Sequence, residues 1–237
     1  MMIVLASKSP RRKEILADLG LDFETVVEEV DESSDVADPA ERAMGIASRK
    51  ASAVRDMLVS HNIDVNSLAI VGADTIVYAE GEFLGKPADR ADARRMLTLL
   101  SGKTHKVITG VAVAIGGRIE CEASVSEVDF SLMSDEDIEA YLDTDEPYDK
   151  AGAYAVQGRA SVYIDEIRGD YFGIVGLPVR TLDKILREKF SRSLNAMQKK
   201  PLKINLLVKN SRLTEKNNYD IIYYGERCGF EVENIEC

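Results

Sequence analysis

Two long strand-forming runs meet at Gly116 and Gly117, in the segment HKVITGVAVAIGGRIECEASVSEVDF. Two glycines between such runs are a strong signal for a β-hairpin, because the central residues of the favoured two-residue turns adopt positive φ angles. The chain must therefore contain at least one long antiparallel pair of strands, and any fold proposed for it has to accommodate that pair.

Strand-like and helix-like segments alternate along the rest of the chain. Strands are predicted in MIVLA, FETVVEEVDES, LAIVGA, the run after it that turns near Gly81, ASVYIDEI and YFGIVG. Helices are predicted in PRRKEIL, DPAERAMGIASRKASAVRDML and ADRADARRMLTLLSG, in a short segment after Ser134, and from residue 178 to about 190. Strands adjacent in sequence occur together with strands separated by helices, so we expect an α/β fold with a mixed sheet.

Capping residues support two of these helices. Asp38 precedes a proline at a helix start, and Glu41 occupies the capping-box position. Ser134 and Asp137 form a second box of the S-x-x-D type. Helices are therefore predicted to begin directly after Asp38 and Ser134.

The first helix carries positive charge at its N-terminal end. Ser9 before a proline is typical of a helix start, yet Arg11, Arg12 and Lys13 fill the first turn, where the macrodipole is already positive. A bound anion would offset this cost, since backbone N–H groups, the hydroxyls of Ser7 and Ser9 and two guanidiniums make a phosphate site. In that case, removing either arginine should cost little stability without ligand. The alternatives are a solvated basic turn, or arginines paired with carboxylates of the protein itself.

Asp74 is the main candidate for a catalytic carboxylate. It follows a buried apolar strand in VGADTIV, where we expect the strand to break at residues 72–74, and open α/β sheets bind ligands at the carboxyl ends of strands. The alternative is an Asx turn that only closes a loop. Asp31 and Glu32, expected at the end of another strand, could supply further oxygen ligands for Mg²⁺, which prefers one or two carboxylates plus substrate phosphate.

Three lysines in or beside predicted loops could reach an anion: Lys50, Lys86 and Lys150. Lys50 falls within a helix, where a lysine that extends along the surface is the usual case. Lys86 lies between a glycine and a proline and is the least crowded of the three. His105 has no evident nucleophilic partner and is predicted to be structural, and with two histidines in the chain a histidine-based zinc site is not expected.

Composition restricts the class of partner. The 237 residues carry a formal net charge of −11, so the surface as a whole should repel nucleic acid and anionic membranes. A small anion could bind only where basic residues are concentrated. The three cysteines show no metal-ligand spacing, which is typical of a reducing compartment. The apolar run at the N-terminus is too short for a signal segment or a membrane span, and we therefore expect a cytoplasmic protein.

Six motifs, in order, give the chain a family resemblance. SxSPRR, GADT, GKP, LSGKTHxVxTGV, EPxDKAGAYxxQG and GLP resemble the motifs of the Maf-like nucleotide pyrophosphatases. The resemblance extends to about residue 190. It implies an elongated mixed β-sheet flanked by helices, with two lobes and a cleft, similar to the house-cleaning inosine triphosphatases.

The resemblance also implies an activity and a set of site residues. The reaction is hydrolysis of a nucleoside triphosphate to the monophosphate and pyrophosphate, with a divalent cation, Mg²⁺ or Mn²⁺, held by Asp74 and Glu32. Asp74 is the implied catalytic residue. The implied phosphate-binding residues are Ser7, Ser9, Arg12, Lys50 and Lys86.

Three further positions match the branch of the family that acts on dTTP and UTP. They are Arg11, Thr75 and Gln157. A glutamine amide both donates and accepts hydrogen bonds, so it can complement the O4 and N3–H edge of thymine or uracil. The resemblance therefore implies a pyrimidine preference, with modified nucleotides as alternative substrates.

Domain organisation follows from the extent of the resemblance. We predict a pyrophosphatase domain at residues 1–190 and a C-terminal extension of unknown role at residues 191–237. Members of this family are commonly dimeric, so a homodimer is expected. The functional alternative is a non-catalytic regulatory protein that binds nucleotides in the same cleft.

Overall fold

The hairpin predicted at Gly116 and Gly117 forms the centre of the sheet. In a computed structural model that describes residues 1–197, β5 (Thr104–Ile115) and β6 (Arg118–Phe130) pair antiparallel along their whole length. The pairing begins at Ile115 opposite Arg118, directly beside the two glycines, which confirms the prediction.

Seven strands of the described residues form one mixed sheet in the order β2-β1-β3-β5-β6-β7, with β4 paired to β3 outside this path. β1 is parallel to β2 and β3, and the other pairs are antiparallel. The remaining strands are β1 (Met2–Leu5), β2 (Phe23–Thr25), β3 (Leu68–Ala79), β4 (Glu82–Leu84) and β7 (Ile164–Arg168).

Helices cover both faces of this sheet. Both predicted capping boxes start helices: Asp38 accepts from the Glu41 N–H, and Ser134 and Asp137 cap each other reciprocally. None of the helices within residues 1–197 is long and apolar enough to cross a membrane. The α-helices are α1 (Pro10–Asp18), α2 (Pro39–Ser60), α3 (Arg90–Leu100), α4 (Asp135–Leu142), α5 (Tyr171–Val175) and α6 (Val179–Phe190).

Strand β3 is continuous through Asp74, so the break predicted at residues 72–74 is wrong. The strand instead changes partner there. On one edge β3 pairs with β1 as far as Val71 and with β4 from Val77 onward. Within the described part of the chain, residues 72–76 therefore pair only with β5, and the other edge of this stretch is open.

Two glycines allow α2 to lie directly on the sheet beside this open edge. A Cβ atom on Gly72 would lie 2.3 Å from the carbonyl oxygen of Ala47, and one on Gly110 would lie 2.4 Å from that of Ala43. Gly110 is paired with Asp74, and directly opposed residues direct their side chains to the same face. Asp74 therefore faces α2, and the turn-like composition of the GADT segment reflects close helix packing.

Two hydrophobic clusters give the protein its two lobes, as the resemblance predicted. One surrounds α3 and α4 with β3 residues such as Val77, and the other surrounds α1 and α6 with β3 residues such as Val71. A large cleft is lined by members of both clusters. The predicted fold class, an elongated mixed sheet flanked by helices with a cleft between two lobes, is confirmed.

Three predicted strands differ from the structure. YFGIVG forms helix α5 and its C-cap, and the first half of ASVYIDEI forms a 3₁₀ turn at Arg159–Tyr163. Short apolar runs do not distinguish a buried helical turn from a strand. FETVVEEVDES contains only the three-residue β2, so Asp31 and Glu32 lie in an irregular loop and not at a strand end.

The predicted boundary at residue 190 coincides with the end of α6. Ser191 follows with a positive φ of 53°, and Leu194 and Met197 are buried in the cluster of α1 and α6. The rest of the predicted C-terminal extension, from residue 198 onward, lies outside the described residues, and the two-domain division stays a prediction.

The close contact of α2 with the sheet generates the first prediction. Gly72→Ala should lower the free energy of unfolding by about 1–3 kcal/mol, because the new methyl group meets helix backbone and the two elements must separate. Urea unfolding measures this. Gly45→Ala, on the exposed side of the same helix with no atom within 4 Å of the new Cβ, is the control and should be neutral or stabilising. Equal effects of the two changes would contradict the packing argument.

Candidate active site

The cleft between the lobes has a volume of about 1020 Å³ and contains every predicted site residue. Its lining combines the β1–α1 loop, the loop before α2, α2 itself, the open edge of β3 and the loop that contains Gln157. A smaller cavity of about 640 Å³, which Met1 and Arg187 help to line, holds none of the predicted site residues. We therefore place the candidate site in the larger cleft.

Asp74 is buried at the centre of this cleft. Its side chain is 12% exposed, and its Oδ1 atom accepts a hydrogen bond of 2.7 Å from Lys50 Nζ. Burial raises the pKa of Asp74 above the ordinary aspartate value, while the positive charges of Lys50 and Arg12 act in the opposite direction. A raised pKa makes the carboxylate a stronger base than a surface aspartate.

Lys50 contacts two of the predicted acidic residues at once. Its Nζ atom lies 2.7 Å from Asp74 and 2.9 Å from Glu32 Oε1. The Lys50 side chain is 15% exposed, so it does not extend along the surface as its helical position suggested. Glu32 is largely exposed, and its neighbour Asp31 instead accepts two hydrogen bonds from Ser33 in the same loop.

Arg12 is fixed by three acceptors, none of them charged. Its guanidinium donates to Gly176 O at 2.8 Å, Ser7 Oγ at 2.8 Å and Thr75 Oγ1 at 3.3 Å. Burial lowers the pKa of Arg12, and nearby Asp74 partly offsets that effect. Because no carboxylate forms an ion pair with Arg12 among the described residues, its charge remains available to an anion in the cleft.

The hydroxyl of Thr75 is held on both sides. It lies 3.3 Å from Arg12 and 2.9 Å from the hydroxyl of Thr109, which also lies 2.7 Å from Gly173 O. A hydroxyl has one proton, so if Thr109 donates to Gly173 O, Thr75 donates to Thr109 and accepts from Arg12. Thr75 thus contacts the arginine directly, a partner that its proposed role in base selection did not predict.

Arg11 lies at the mouth of the cleft and pairs with a carboxylate. Its NH1 atom is 3.4 Å from Asp149 Oδ2, and Lys150 contacts the other oxygen of the same carboxylate. Lys150 also donates to Glu146 O at 2.9 Å. The two arginines of the first helical turn thus differ, and the alternative of pairing with the protein's own carboxylates applies to Arg11.

Three predicted residues line the cleft with few contacts of their own. Lys86 and Gln157 are exposed, and within residues 1–197 neither side chain forms an ion pair or hydrogen bond. Ser9 is the N-cap of α1 by position, but its side chain makes no capping bond. Its backbone N–H instead donates to Ser7 Oγ at 3.2 Å.

His105 has the structural character that the sequence predicted. It is 2% exposed, its Nε2 lies 2.8 Å from Tyr154 Oη, and its ring packs edge-on against Phe130 and Tyr154. Burial lowers the pKa of His105 to about 4, so the ring is neutral at pH 7. Its contact with Tyr154 anchors the loop that contains Gln157.

The carboxylates of the cleft suit a cation that takes part of its coordination from substrate. Asp74 and Glu32 both contact the single nitrogen of Lys50, so their oxygens converge on one positive charge. Among the described residues no cluster of three or more histidine, cysteine, aspartate or glutamate side chains could hold a metal ion alone. Two carboxylates without further protein ligands fit Mg²⁺, which is usually bound by one or two carboxylates, water and phosphate.

The structure adds residues that the sequence did not indicate. The carbonyl of Gly176 accepts directly from Arg12, and Thr109 contacts Thr75, which in turn contacts Arg12; neither has a pattern of its own that predicts this. Arg42 also lines the cleft. Its spacing of eight residues from Lys50 on one helix was a signal that could have identified it.

The contrast between the two arginines generates the second prediction. Arg12→Ala should lower the free energy of unfolding of the ligand-free protein by about 1–3 kcal/mol, because it removes three partly buried hydrogen bonds at once. Arg11→Ala should cost less than about 0.5 kcal/mol, because its ion pair is long and exposed. Urea unfolding without nucleotide compares the two, and equal losses would contradict the assigned contacts.

Comparison with known proteins identifies the family. The family model described as Maf-like protein matches residues 2–189. A dTTP/UTP pyrophosphatase of Bacillus anthracis is 43% identical over 187 residues, which cover 78% of this chain and 94% of that protein. A dTTP/UTP pyrophosphatase of Bacillus cereus (strain ATCC 10987 / NRS 248) is 44% identical over 187 residues, covering 78% and 89%.

Two solved structures resemble the chain more distantly. The Staphylococcus aureus Ham1 protein has a TM-score of 0.39 at 13% identity, over 55% of this chain and 72% of that one. The nucleoside-triphosphatase, or dITP/XTP pyrophosphatase, of Mycobacterium abscessus has a TM-score of 0.32 at 16% identity, over 55% and 73%. The match to the family model and the identity to these relatives confirm the family predicted from the six motifs: the chain belongs to the family of Maf-like proteins.

Proposed function

We propose that this protein hydrolyses nucleoside triphosphates, dTTP and UTP in particular, to the monophosphate and pyrophosphate. The observation that carries the proposal is a buried carboxylate, Asp74, held by Lys50 in a cleft where Arg12 is fixed by neutral acceptors. Relatives 43–44% identical are named dTTP/UTP pyrophosphatases, which supports the same activity here.

Asp74 is the group best placed to activate water. Its burial raises its pKa, and the one hydrogen bond to Oδ1, from Lys50, leaves Oδ2 without a described partner. A carboxylate in this state can accept a proton from a water molecule that attacks the α-phosphorus. The bond that breaks joins the α-phosphorus to the bridging oxygen, and pyrophosphate departs with the electron pair.

A divalent cation, Mg²⁺ or Mn²⁺, would be held by Asp74 and Glu32. When bound, it would neutralise phosphate charge at the reaction centre. Lys50 contacts both carboxylates. When those carboxylates bind a cation instead, the ammonium group of Lys50 can form a contact with the phosphate.

Arg12 and the β1–α1 loop supply the fixed part of the phosphate site. Arg12 needs no reorientation to stabilise developing negative charge, since three hydrogen bonds already hold it. Ser7 acts by positioning Arg12, while Ser9 and Lys86 contribute a hydroxyl and a charge without competing partners among the described residues.

Gln157 is the proposed reader of the base. It is exposed on the cleft wall, and neither its donor nor its acceptor is used within residues 1–197. Arg11 lies at the mouth of the cleft, where its contact with Asp149 is long. In this proposal, Arg11 gives up that contact and binds the nucleotide. Thr75 acts on specificity through Arg12, which its hydroxyl contacts.

The second candidate is a nucleotide-binding protein without turnover. Its support is the large cleft with several positive side chains. A buried carboxylate beside the phosphate site weighs against it, because like charge weakens binding of the anion. Pyrophosphate release from dTTP in the presence of Mg²⁺ or Mn²⁺ distinguishes the two.

Two further expectations stay predictions. The family resemblance implies a homodimer, and sedimentation velocity of the full chain would test it. We expect a cytoplasmic location, because an enzyme that acts on free nucleotides meets its substrate there. Cell fractionation tests this expectation.

The proposed role of Asp74 generates the third prediction. Asp74→Asn should lower kcat for dTTP at least about a hundredfold, because the amide cannot accept the proton of water. Pyrophosphate release measures kcat, and thermal unfolding checks that the variant is folded. Asp165→Asn, an exposed aspartate on β7, is the matched control and should leave kcat unchanged. An Asp74→Asn enzyme with more than a tenth of the original kcat would remove Asp74 from the mechanism.

The proposed role of Gln157 generates the fourth prediction. Gln157→Glu should lower kcat/KM for dTTP and UTP by roughly ten- to a hundredfold relative to GTP, because a carboxylate cannot donate to O4 of the pyrimidine. The measurement is kcat/KM for dTTP, UTP, CTP and GTP in both proteins. The ratio between nucleotides corrects for general repulsion of the triphosphate, so an equal loss for all four would show that Gln157 does not read the base.

A further inference from the structure

Helix α2 presents a stripe of three side chains to the cleft. Arg42, Ile46 and Lys50 all line it, and their spacing of four residues places them on one face of the helix. Lys50 is the member that contacts Asp74. Arg42 lies two turns away, about 12 Å along the helix axis.

The Arg42 guanidinium is held over an aromatic ring. Its Cζ atom lies 4.5 Å from the centroid of the Phe83 ring, and the Phe83 ring packs against Tyr78 with 5.1 Å between centroids. Phe83 itself lines the cleft. A guanidinium stacked on a ring has one face covered, and its N–H groups point outward in its own plane.

Those N–H groups have no acceptor among residues 1–197. Arg42 forms neither an ion pair within 4.0 Å nor a side-chain hydrogen bond in the described part of the chain, although the sequence contains 41 acidic residues against 30 basic ones. Arg11, at the mouth of the same cleft, does have a carboxylate partner. Arg42 therefore offers a complete set of donors to a ligand.

We propose that Arg42 is a further substrate-binding residue, whose guanidinium, oriented by Phe83, binds the terminal phosphates of the nucleoside triphosphate. This inference rests on the proposed function. With the scissile phosphorus beside Asp74, a residue two helical turns from Lys50 reaches one end of the substrate, either the terminal phosphates or the base. The unused in-plane donors favour the phosphates, because a planar fork of N–H groups matches phosphate oxygens. Lys86, three residues after Phe83 and without an ion pair among residues 1–197, adds positive charge near the same wall of the cleft.

Binding measurements on the full chain test this proposal. The probes are dTMP, inorganic triphosphate and an α,β-imido analogue of dUTP, each titrated calorimetrically. Arg42→Gln should weaken binding of the analogue and of inorganic triphosphate about ten- to a hundredfold, the range expected for a hydrogen bond to a charged group, and should leave dTMP within about twofold. Phe83→Leu should reproduce part of the loss, because it removes the ring that orients the guanidinium.

Two variants serve as controls. Arg42→Lys retains the charge and should lose less than Arg42→Gln. Arg55→Gln makes the same charge change on the same helix, at an arginine that does not line the cleft and pairs with Asp56, and it should leave all three affinities unchanged.

Each outcome decides the matter. Unchanged binding of the triphosphates by Arg42→Gln would overturn the proposal, and so would a loss for dTMP equal to that for the analogue, which would indicate contact with the base. Wild-type release of pyrophosphate from dTTP, measured in parallel, separates the two proposals. If the wild type binds the analogue through Arg42 but does not cleave dTTP, the proposed function fails and this inference stands; if it binds no triphosphate, both fail.

Discussion

The direct contact between helix α2 and the sheet is the constraint on which the site depends. It exists because Gly72 and Gly110 have no side chains where the backbone of α2 passes. This contact brings Lys50 within 2.7 Å of Asp74, since both lie on the face that the two glycines open. Burying an aspartate destabilises a protein unless a charge or a hydrogen-bond donor compensates for the lost hydration. The two glycines allow α2 to bring Lys50 to Asp74, and Lys50 supplies that compensation.

Two positive side chains of the cleft, Arg12 and Lys50, have partners of different kinds. Arg12 is bound to neutral oxygens, which orient it without cancelling its charge. Lys50 is bound to two carboxylates, which cancel its charge until one of them gains another partner. Arg12 is thus already oriented with its charge free for an anion, whereas Lys50 must first release a carboxylate.

The sequence predicted the architecture well and the site contacts less well, for physical reasons. Hairpins at glycine turns and helices at capping boxes depend on local chemistry, so Gly116 and Ser134 were sufficient to locate them. The sequence predicts a strand break at residues 72–74, where β3 is continuous, because local composition does not reveal the helix that packs on Gly72. The bond from Arg12 to Gly176 joins residues far apart in the chain, and a backbone acceptor leaves no trace in the side-chain pattern. Helix α5 was predicted as a strand for a similar reason, since tertiary packing decides the conformation of so short an apolar run.

The open edge of β3 has a consequence for what else the protein can bind. An exposed strand edge is normally a template for an added strand from another chain. Among residues 1–197, only the stretch 72–76 lacks a strand on this edge, and β1 and β4 already occupy the edge on either side. An incoming polypeptide would have room for too few ladder bonds, and it would have to pass the charged groups of Asp74 and Lys50. The gap is therefore closed to β-strand addition by its shortness, by its charge and by the burial of most of its residues.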